Sequence, residues 1–593
     1  MAIKDKSSNL LYKFFPFLAW LPLLKDPAIL RADLIAGLTV ALVLIPQSMA
    51  YANLAGLPAY FGLYIAFMPV MVAALWGSSK QLGTGPVAVV SIMTATTVAG
   101  LLGGTAVDNA SPEFLAQYIG MATFLTLLVG LFQFSLGIFR LGVIVNFLSH
   151  PVIVGFTNAA ALVIGLSQLS KIFGVAMPGA PSDHFLGVRI WGVLQQMAET
   201  HWPTFIMGMG AFGVMMLMKK YVPKLPGVLV AVAGATIISW LIGFEAMGGK
   251  VVGQIPDGLP SIQMPGIDMN HIGYLVVNAI IIALVGFMEA ISIAKAMAAK
   301  TKDKIDPNQE LVGQGMGNIV GSFTQAYPAS GSFSRSAVNL NAGARTGFSS
   351  VVTAMLVVVT LLFLTPLLYH LPKAVLAAVI MMAVFGLINF SAVKHAWKTS
   401  RHDGIASVAT FVCTLGFAPH LEKGILIGAG LALGMYLYRT MKPRVAMLGR
   451  YPDGTLRDLA VNPDLAKDEE IIVLRFDGSL YFANVSYFED TILEAVSDNQ
   501  DTKYILVVGD GINQLDASGE EVVHHIIDRL RDNGITLVFS GLKKQILDVM
   551  RKTNLFEALG TENFFATEDM ALIDIYKRLG KEGKDAVLLP MPA

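Results

Sequence analysis

The 593-residue chain carries 42 Lys and Arg against 42 Asp and Glu, is 54% hydrophobic and 14% charged, and has a mean hydropathy of +0.62. Soluble domains of ordinary composition hold about 25% charged residues, so a wholly soluble protein is excluded and a membrane protein is expected. The zero net charge is a cancellation: residues 1–441 hold 25 basic and 16 acidic side chains, and residues 442–593 hold 17 and 26. This division predicts a cytoplasmic N-terminal segment (1–31), a transmembrane domain (32–441) and a soluble domain (442–593). The polar start MAIKDKSSNL has no short apolar core with a small-residue cleavage site, so the N-terminus is expected to stay cytoplasmic. The single cysteine, Cys413, excludes intrachain disulfides and cysteine-based metal sites.

A bilayer-crossing helix needs about 20 mostly apolar residues. Such runs occur at 33–53, 59–76, 114–139, 149–170, 203–218, 225–243, 273–298, 348–369, 374–391, 404–420 and 423–441, with a shorter run at 309–323 that fits a helix buried among others. Two more, 86–101 and 332–345, are short and open with Gly, Pro or Ser. Fourteen segments result, two of them incomplete. Lys and Arg gather in cytoplasmic loops. With the N-terminus inside, the even connections would carry Lys80, Arg140, Lys219, Lys220, Lys224, Lys300, Lys302, Lys304, Lys394, Lys398, Arg401, Arg439, Lys442 and Arg444. Lys171, Arg189, Lys250, Lys373 and Lys423 fall outside this pattern.

After residue 441 the period changes. EIIVLRF (470–476), KYILVVGD (503–510) and ITLVFSG (535–541) read as strands, while SGEEVVHHIIDRLRDNG (518–534) and KKQILDVMRKTNL (543–555) read as helices. Alternating strands and helices predict a small α/β sheet domain on the cytoplasmic side.

The two short segments are each the third helix of a set of seven. That correspondence points to an inverted repeat whose site is formed by discontinuous helices near the membrane midplane. A helix N-terminus presents unpaired N–H groups and about half a positive charge, so two such ends facing one another form an electropositive socket for an anion. GTGPVAVVS (83–91) supplies glycines for close backbone approach, with Pro86 at the first helical position. SGSFSRSAV (330–338) supplies Ser332, Ser334 and Ser336, and Arg335 adds a full charge. The alternative is that these small residues only let helices pack closely, which is the reading taken for Gly313, Gly317 and Gly321 and which leaves Arg335 unexplained. Glu289 follows an apolar run of about a dozen residues, too deep to reach water easily, so it needs a partner, a cation or a proton. It is expected to be the coupling residue; the alternative is a fixed salt bridge or a packing role. Lys295, six positions on, falls on another face of the helix and is not expected to pair with it.

No G-x-x-x-x-G-K-[ST] loop, nucleophile elbow or metal-spaced cluster occurs, and His524 and His525 are adjacent and point apart. An ATP-driven pump, an enzyme, a bound cofactor or metal and a nucleic-acid partner are therefore not expected.

At these residues the chain resembles the SulP anion permeases, the sulfate permease or solute carrier 26 group. The resemblance rests on IPQSMAYANLAGLPAYFGLY (45–64), GSSKQLGTGPVAVVS (77–91), FLSHPVIVGFTNAAA (147–161), NQELVGQGMGNIVGSF (308–323), SFSRSAVNLNAGART (332–346) and a C-terminal STAS-like region around NQLDASGEE (513–521). It implies a polytopic α-helical membrane protein of fourteen segments in a seven-plus-seven inverted repeat with core and gate subdomains, an α/β STAS domain, and a homodimer. It places the substrate on Gln47 and Tyr51 of segment one, Val87 and Ala88 of segment three, and Phe333, Ser334 and Arg335 of segment ten, with Glu289 at the acidic position of segment eight. Ser518 matches the serine phosphorylated in bacterial anti-sigma antagonists of that fold. Capping of the following helix by Asp516 or Ser518 is the alternative reading. The expectation is a secondary transporter of a small inorganic oxyanion in the cell membrane (inner or plasma membrane), with lipid around it and with sulfate and proton symport by an elevator motion as the first choice. Bicarbonate or a dicarboxylate such as fumarate, sodium coupling, an uncoupled channel or exchanger, and a regulatory anchor for the STAS domain are the alternatives.

Overall fold

The computed structural model describes residues 14–105, 111–143, 149–176, 186–222, 225–256, 258–418, 420–582 and 585–589. Most of the N-terminal segment expected at 1–31, Lys224, part of the 147–161 motif and part of the 102–113 connection lie outside them, as does the side chain of Arg189. The chain forms two compact units, residues 1–432 and 433–593, so the division falls inside the last apolar helix, nine residues before the boundary read from charge.

All fourteen expected segments are helical. They are α1 (Pro27–Leu54), α2 (Met68–Trp76), α3 (Ala88–Leu102), α4 (Pro112–Ile138), α5 (His150–Ser167), α6 (Trp202–Tyr221), α7 (Gly227–Ile242), α8 (Ile272–Thr301), α9 (Pro307–Phe323), α10 (Phe333–Asn341), α11 (Phe348–Val359), α12 (Lys373–Phe385), α13 (Arg401–Gly416) and α14 (Leu421–Met441). Among the described residues, seven helices are long and apolar enough to cross a bilayer by themselves. The two incomplete segments are shorter than a bilayer core of about 30 Å: α3 and α10 rise only about 22 and 14 Å. Sequence reading missed the amphipathic helix Leu186–Gln195, which exposes Val188 and Trp191 and meets α6 at a bend of 117°.

Packing within the first unit repeats when the two halves are exchanged. Helix α1 packs on α11 as α8 packs on α4, α5 packs on α13 as α12 packs on α6, and α2 meets its own counterpart α9. Close approach explains the glycines of α9: a Cβ on Gly313 would stand 2.6 Å from the Gly77 Cα, and one on Gly317 2.9 Å from the Pro69 carbonyl oxygen. The packing reading of these positions is correct.

Strands β1 (Gly83–Gly85) and β2 (Ser330–Ser332) belong to the first unit; in the second unit, strands β3 (Arg444–Arg450), β4 (Leu456–Asp458), β5 (Ile471–Asp477), β6 (Tyr504–Val508), β7 (Thr536–Ser540) and β8 (Phe564–Phe565) form one sheet in the order β4-β3-β5-β6-β7-β8, parallel from β5 onward. Alternation along the strands divides the core. Leu474, Phe476, Val507 and Phe539 pack against α15 (Val485–Asp498), α16 (Ala517–Asp532) and α17 (Lys544–Lys552). Val473, Leu506 and Val538 pack against α18 (Glu568–Leu579). The five elements read from sequence are present, whereas β3, β4, β8, α15 and α18 were not foreseen.

Asp516 is the cap of α16: its Oδ1 accepts from the Gly519 N–H at 2.8 Å and its Oδ2 from the Phe482 N–H at 2.9 Å. Ser518 is the second helical residue and caps nothing. Replacing Asp516 by Ala should destabilise this end of the sheet by about 1–2 kcal/mol, read as faster hydrogen exchange of α16 amides in the full-length protein, with Ser518→Ala showing no such change.

Candidate substrate-binding site

The site is built on two three-residue strands that no periodicity argument could find. In the first unit, Gly83–Gly85 pairs antiparallel with Ser330–Ser332, matching Gly83 to Ser332 and Gly85 to Ser330. Each strand leads into a short helix, Ser330–Ser332 directly into α10 and Gly83–Gly85 through Pro86 and Val87 into α3. Antiparallel pairing places the two helix starts at opposite ends of one three-residue ladder, about 7 Å long, from which the helices depart in opposite directions. Pro86 is not the first helical residue; it sits in the extended link, and Val87 is the N-cap of α3. Neither start has a side-chain cap, so their first N–H groups are not covered from within.

Arg335 is the third residue of α10 and is 1% exposed. Its Nη1 donates to the Gln47 Oε1 at 3.4 Å, a long bond, while Nε and Nη2 are buried without a hydrogen bond. The Gln47 Nε2 donates to the Tyr51 hydroxyl at 3.1 Å, which leaves the phenolic O–H free to donate elsewhere. Tyr51 is in turn within electrostatic reach of both Arg335 and Glu289. The backbone backs this cluster tightly. A Cβ on Gly83 would stand 2.9 Å from that of Arg335, and the Gly83 N–H donates to the Ser336 hydroxyl at 2.8 Å.

The expected substrate residues lie along α1, at the α3 start and at the α10 start: Gln47, Tyr51 and Arg335 are joined by hydrogen bonds, Val87 and Ala88 are buried at the α3 start and Ser334 is exposed at the α10 start. Phe333, expected to strip water from the anion, is the first residue of α10 and is 58% exposed. Glu289 lies on α8 beside the same strands: the Ser330 hydroxyl donates to the Gly286 carbonyl at 2.6 Å, and a Cβ on Gly331 would stand 2.9 Å from the Ala290 Cα. Among the described residues no hydrogen bond or ion pair engages the Glu289 carboxylate, and Lys295 is exposed. Ser518 belongs to the other unit and takes no part.

Sequence reasoning missed Tyr327 and Ser91, both fully buried. Their hydroxyls have no hydrogen-bond partner among the described residues. Tyr327 opens the stretch that holds Arg335, but a tyrosine at the edge of an apolar run carries no signal of its own.

Residues 30–410 match the Sulfate permease family and residues 462–588 the STAS domain. The chain is 35% identical over 571 residues to Probable sulfate transporter 4.2 of Arabidopsis thaliana, covering 93% of this chain and 82% of that one. It is 34% identical to the chloroplastic Sulfate transporter 4.1 of the same plant, covering 93% and 81%. Among solved structures, murine Slc26a9, an anion transporter in the inward-facing state, superposes with a TM-score of 0.88 over 97% of this chain and 96% of that one at 23% identity. The transmembrane domain of the cyanobacterial bicarbonate transporter BicA gives 0.57 over 68% and 97% at 24% identity. The paired helix starts, the buried arginine behind them and the α/β unit that follows thus occur in a chain that belongs to the sulfate permease family, with a C-terminal STAS domain.

Proposed function

We propose that this protein is a secondary transporter of a small inorganic oxyanion, with sulfate as the substrate and proton symport as the coupling mode. The observation that carries the reading is Arg335, a buried full charge with two unpaired donors behind two uncapped helix starts. The groups unspent at this place are the buried positive charge of the guanidinium and two kinds of donor, the helix-start N–H groups and the Tyr51 hydroxyl. Such a set recognises an anion and offers a cation nothing. The names of the Arabidopsis relatives support sulfate among the oxyanions.

A charge balance supports the proton. Arg335 contributes one positive charge and the two helix starts about half each, which together match a dianion. Glu289, beside Tyr51, then adds one negative charge too many. A proton on Glu289 restores neutrality, so sulfate and a proton enter together. A monoanion would balance an ionised Glu289 without any proton, which ties the substrate's charge to the coupling.

The helix that bears Glu289 packs on the paired strands, so anion and proton would travel on one body. Alternating access by an elevator motion of that core against a gate, in a homodimer in the cell membrane with the N-terminus and STAS domain cytoplasmic, completes the proposal. It is a transporter and not an enzyme, and Ser518 is proposed as the phosphorylatable position of the STAS domain.

The test is uptake of labelled sulfate into proteoliposomes with and without an inward proton gradient. Accumulation driven by the gradient is expected. Accumulation of bicarbonate or fumarate in its place would replace the substrate, and loss of all anion flux would overturn transport.

A further inference from the structure

Helix α9 holds the two strands of the site through three buried polar side chains at four-residue spacing. The Glu310 Oε2 accepts from the Ser78 N–H at 2.9 Å and the Ser79 N–H at 3.0 Å, just before the first strand. One turn on, the Gln314 Nε2 donates to the Thr84 hydroxyl at 2.8 Å, within that strand. After another turn Asn318 clamps the approach to the second strand: its Oδ1 accepts from the Ala329 N–H at 2.8 Å and its Nδ2 donates to the Ala329 carbonyl at 3.1 Å. The three lie on one face because four residues nearly complete a turn, and together they rise about 12 Å.

These bonds reach the lead-ins of both broken helices and fix their relative register. A three-residue strand pair has too few ladder bonds to hold itself, so its geometry must come from elsewhere. The Asn318 amide also donates to the Gln133 Oε1 at 3.0 Å, and the Gln133 Nε2 donates to the Ala283 carbonyl of α8 at 3.2 Å. The same stripe therefore ties the strands to the helix of Glu289. Burial makes each bond hard to replace, since an amide or carboxylate deprived of its partner there has no water to turn to. The glycines of α9 at 313 and 317 bring the backbone of α2 to within contact on the neighbouring face.

We infer that Glu310, Gln314 and Asn318 are the positioning residues of the anion site: they do not touch substrate, and they set where the two helix starts point. This rests on the oxyanion reading. It distinguishes the stripe from ordinary structural polarity, for which the fold supplies a matched control. Asn158 of α5 clamps the backbone of Asn389 in the same two-bond manner, accepting from its N–H at 2.6 Å and donating to its carbonyl at 3.3 Å, away from the strand pair.

The experiment compares Asn318→Leu, the milder Gln314→Met and the control Asn158→Leu in the full-length protein by labelled-sulfate binding and by hydrogen exchange over residues 327–336. Positional errors of about an ångström cost large factors in site function. The sulfate Kd should rise about tenfold in Asn318→Leu and about threefold in Gln314→Met, with faster exchange at 327–336 in Asn318→Leu, while Asn158→Leu changes neither. If Asn318→Leu fails to fold, Gln314→Met decides alone through the Kd. Folded α9 variants with wild-type affinity and wild-type exchange would overturn the inference. If the wild-type protein binds no sulfate, the oxyanion assignment fails, and the exchange comparison still decides the role of α9.

Discussion

Arg335→Gln should abolish sulfate binding, by at least about 100-fold, in a protein that melts no lower than wild type. Two opposed quantities lead to this. A unit charge about 5 Å from a monoanion contributes about 3 kcal/mol at an effective dielectric constant of about 20, and about twice that for a dianion. Against it, the guanidinium is nearly fully buried, makes one bond of 3.4 Å and leaves two donors orphaned. Each orphan costs about 1–3 kcal/mol in the empty protein, so a shorter neutral amide relieves more than it removes. Function here is held at the expense of stability, as is common at binding sites. Because Nε and Nη2 are closed off from solvent, Arg335 acts mainly through its charge, and Arg335→Lys should retain sulfate binding within about tenfold. Equilibrium binding of labelled sulfate and thermal unfolding of the same preparations decide the matter. A Gln variant that binds sulfate normally would remove Arg335 from the site, and one that binds nothing but also unfolds at lower temperature would mean that the guanidinium is structural.

Much of the fold was legible because membranes impose strong local rules. Lengths of apolar runs located all fourteen helices, and the two short runs that open with Gly, Pro or Ser are the ones whose helices start at the site. Arg335 and Glu289 stood out because ionisable residues in such runs are rare. What stayed hidden was pairing. Gly83–Gly85 and Ser330–Ser332 are too short to show an alternating pattern, and they are joined across 247 positions of chain. Gln314 and Asn318 stand in a stretch read for its glycines, and an amide among glycines looks like a loop until its partners are known. The start of α3 was set two places too early, at Pro86 instead of Ala88, because a proline fits both a first helical turn and an extended link. In the STAS domain, α15 was passed over because VSYFEDTILEAVSD mixes acids with apolar residues without the stop that Asn-Gly supplies after α16, and α18 was passed over although Gly580 ends it in the left-handed region.

Glu289→Gln should bind sulfate and exchange it, yet never concentrate it against its gradient. The amide keeps the size of the protonated acid and fixes the neutral form. If the site is balanced when Arg335 and two helix starts face a dianion, the variant is permanently in the anion-accepting charge state. Its sulfate affinity should then be independent of pH. In wild type, wherever Glu289 is ionised in the empty site, each unit rise in pH should weaken sulfate binding by up to tenfold, because one proton must be taken up with each anion. The sign follows from linkage: protons favour the bound state, so removing them favours release. The lack of any hydrogen bond or ion pair to the carboxylate among the described residues matters here, since a fixed salt bridge would hold Glu289 ionised and silence the proton. Sulfate Kd measured across pH for both proteins, with counterflow and gradient-driven uptake in the same vesicles, separates binding from coupling. Sulfate accumulation by the Gln variant would assign the proton to another group, and equal pH dependence in both proteins would do the same from the binding side.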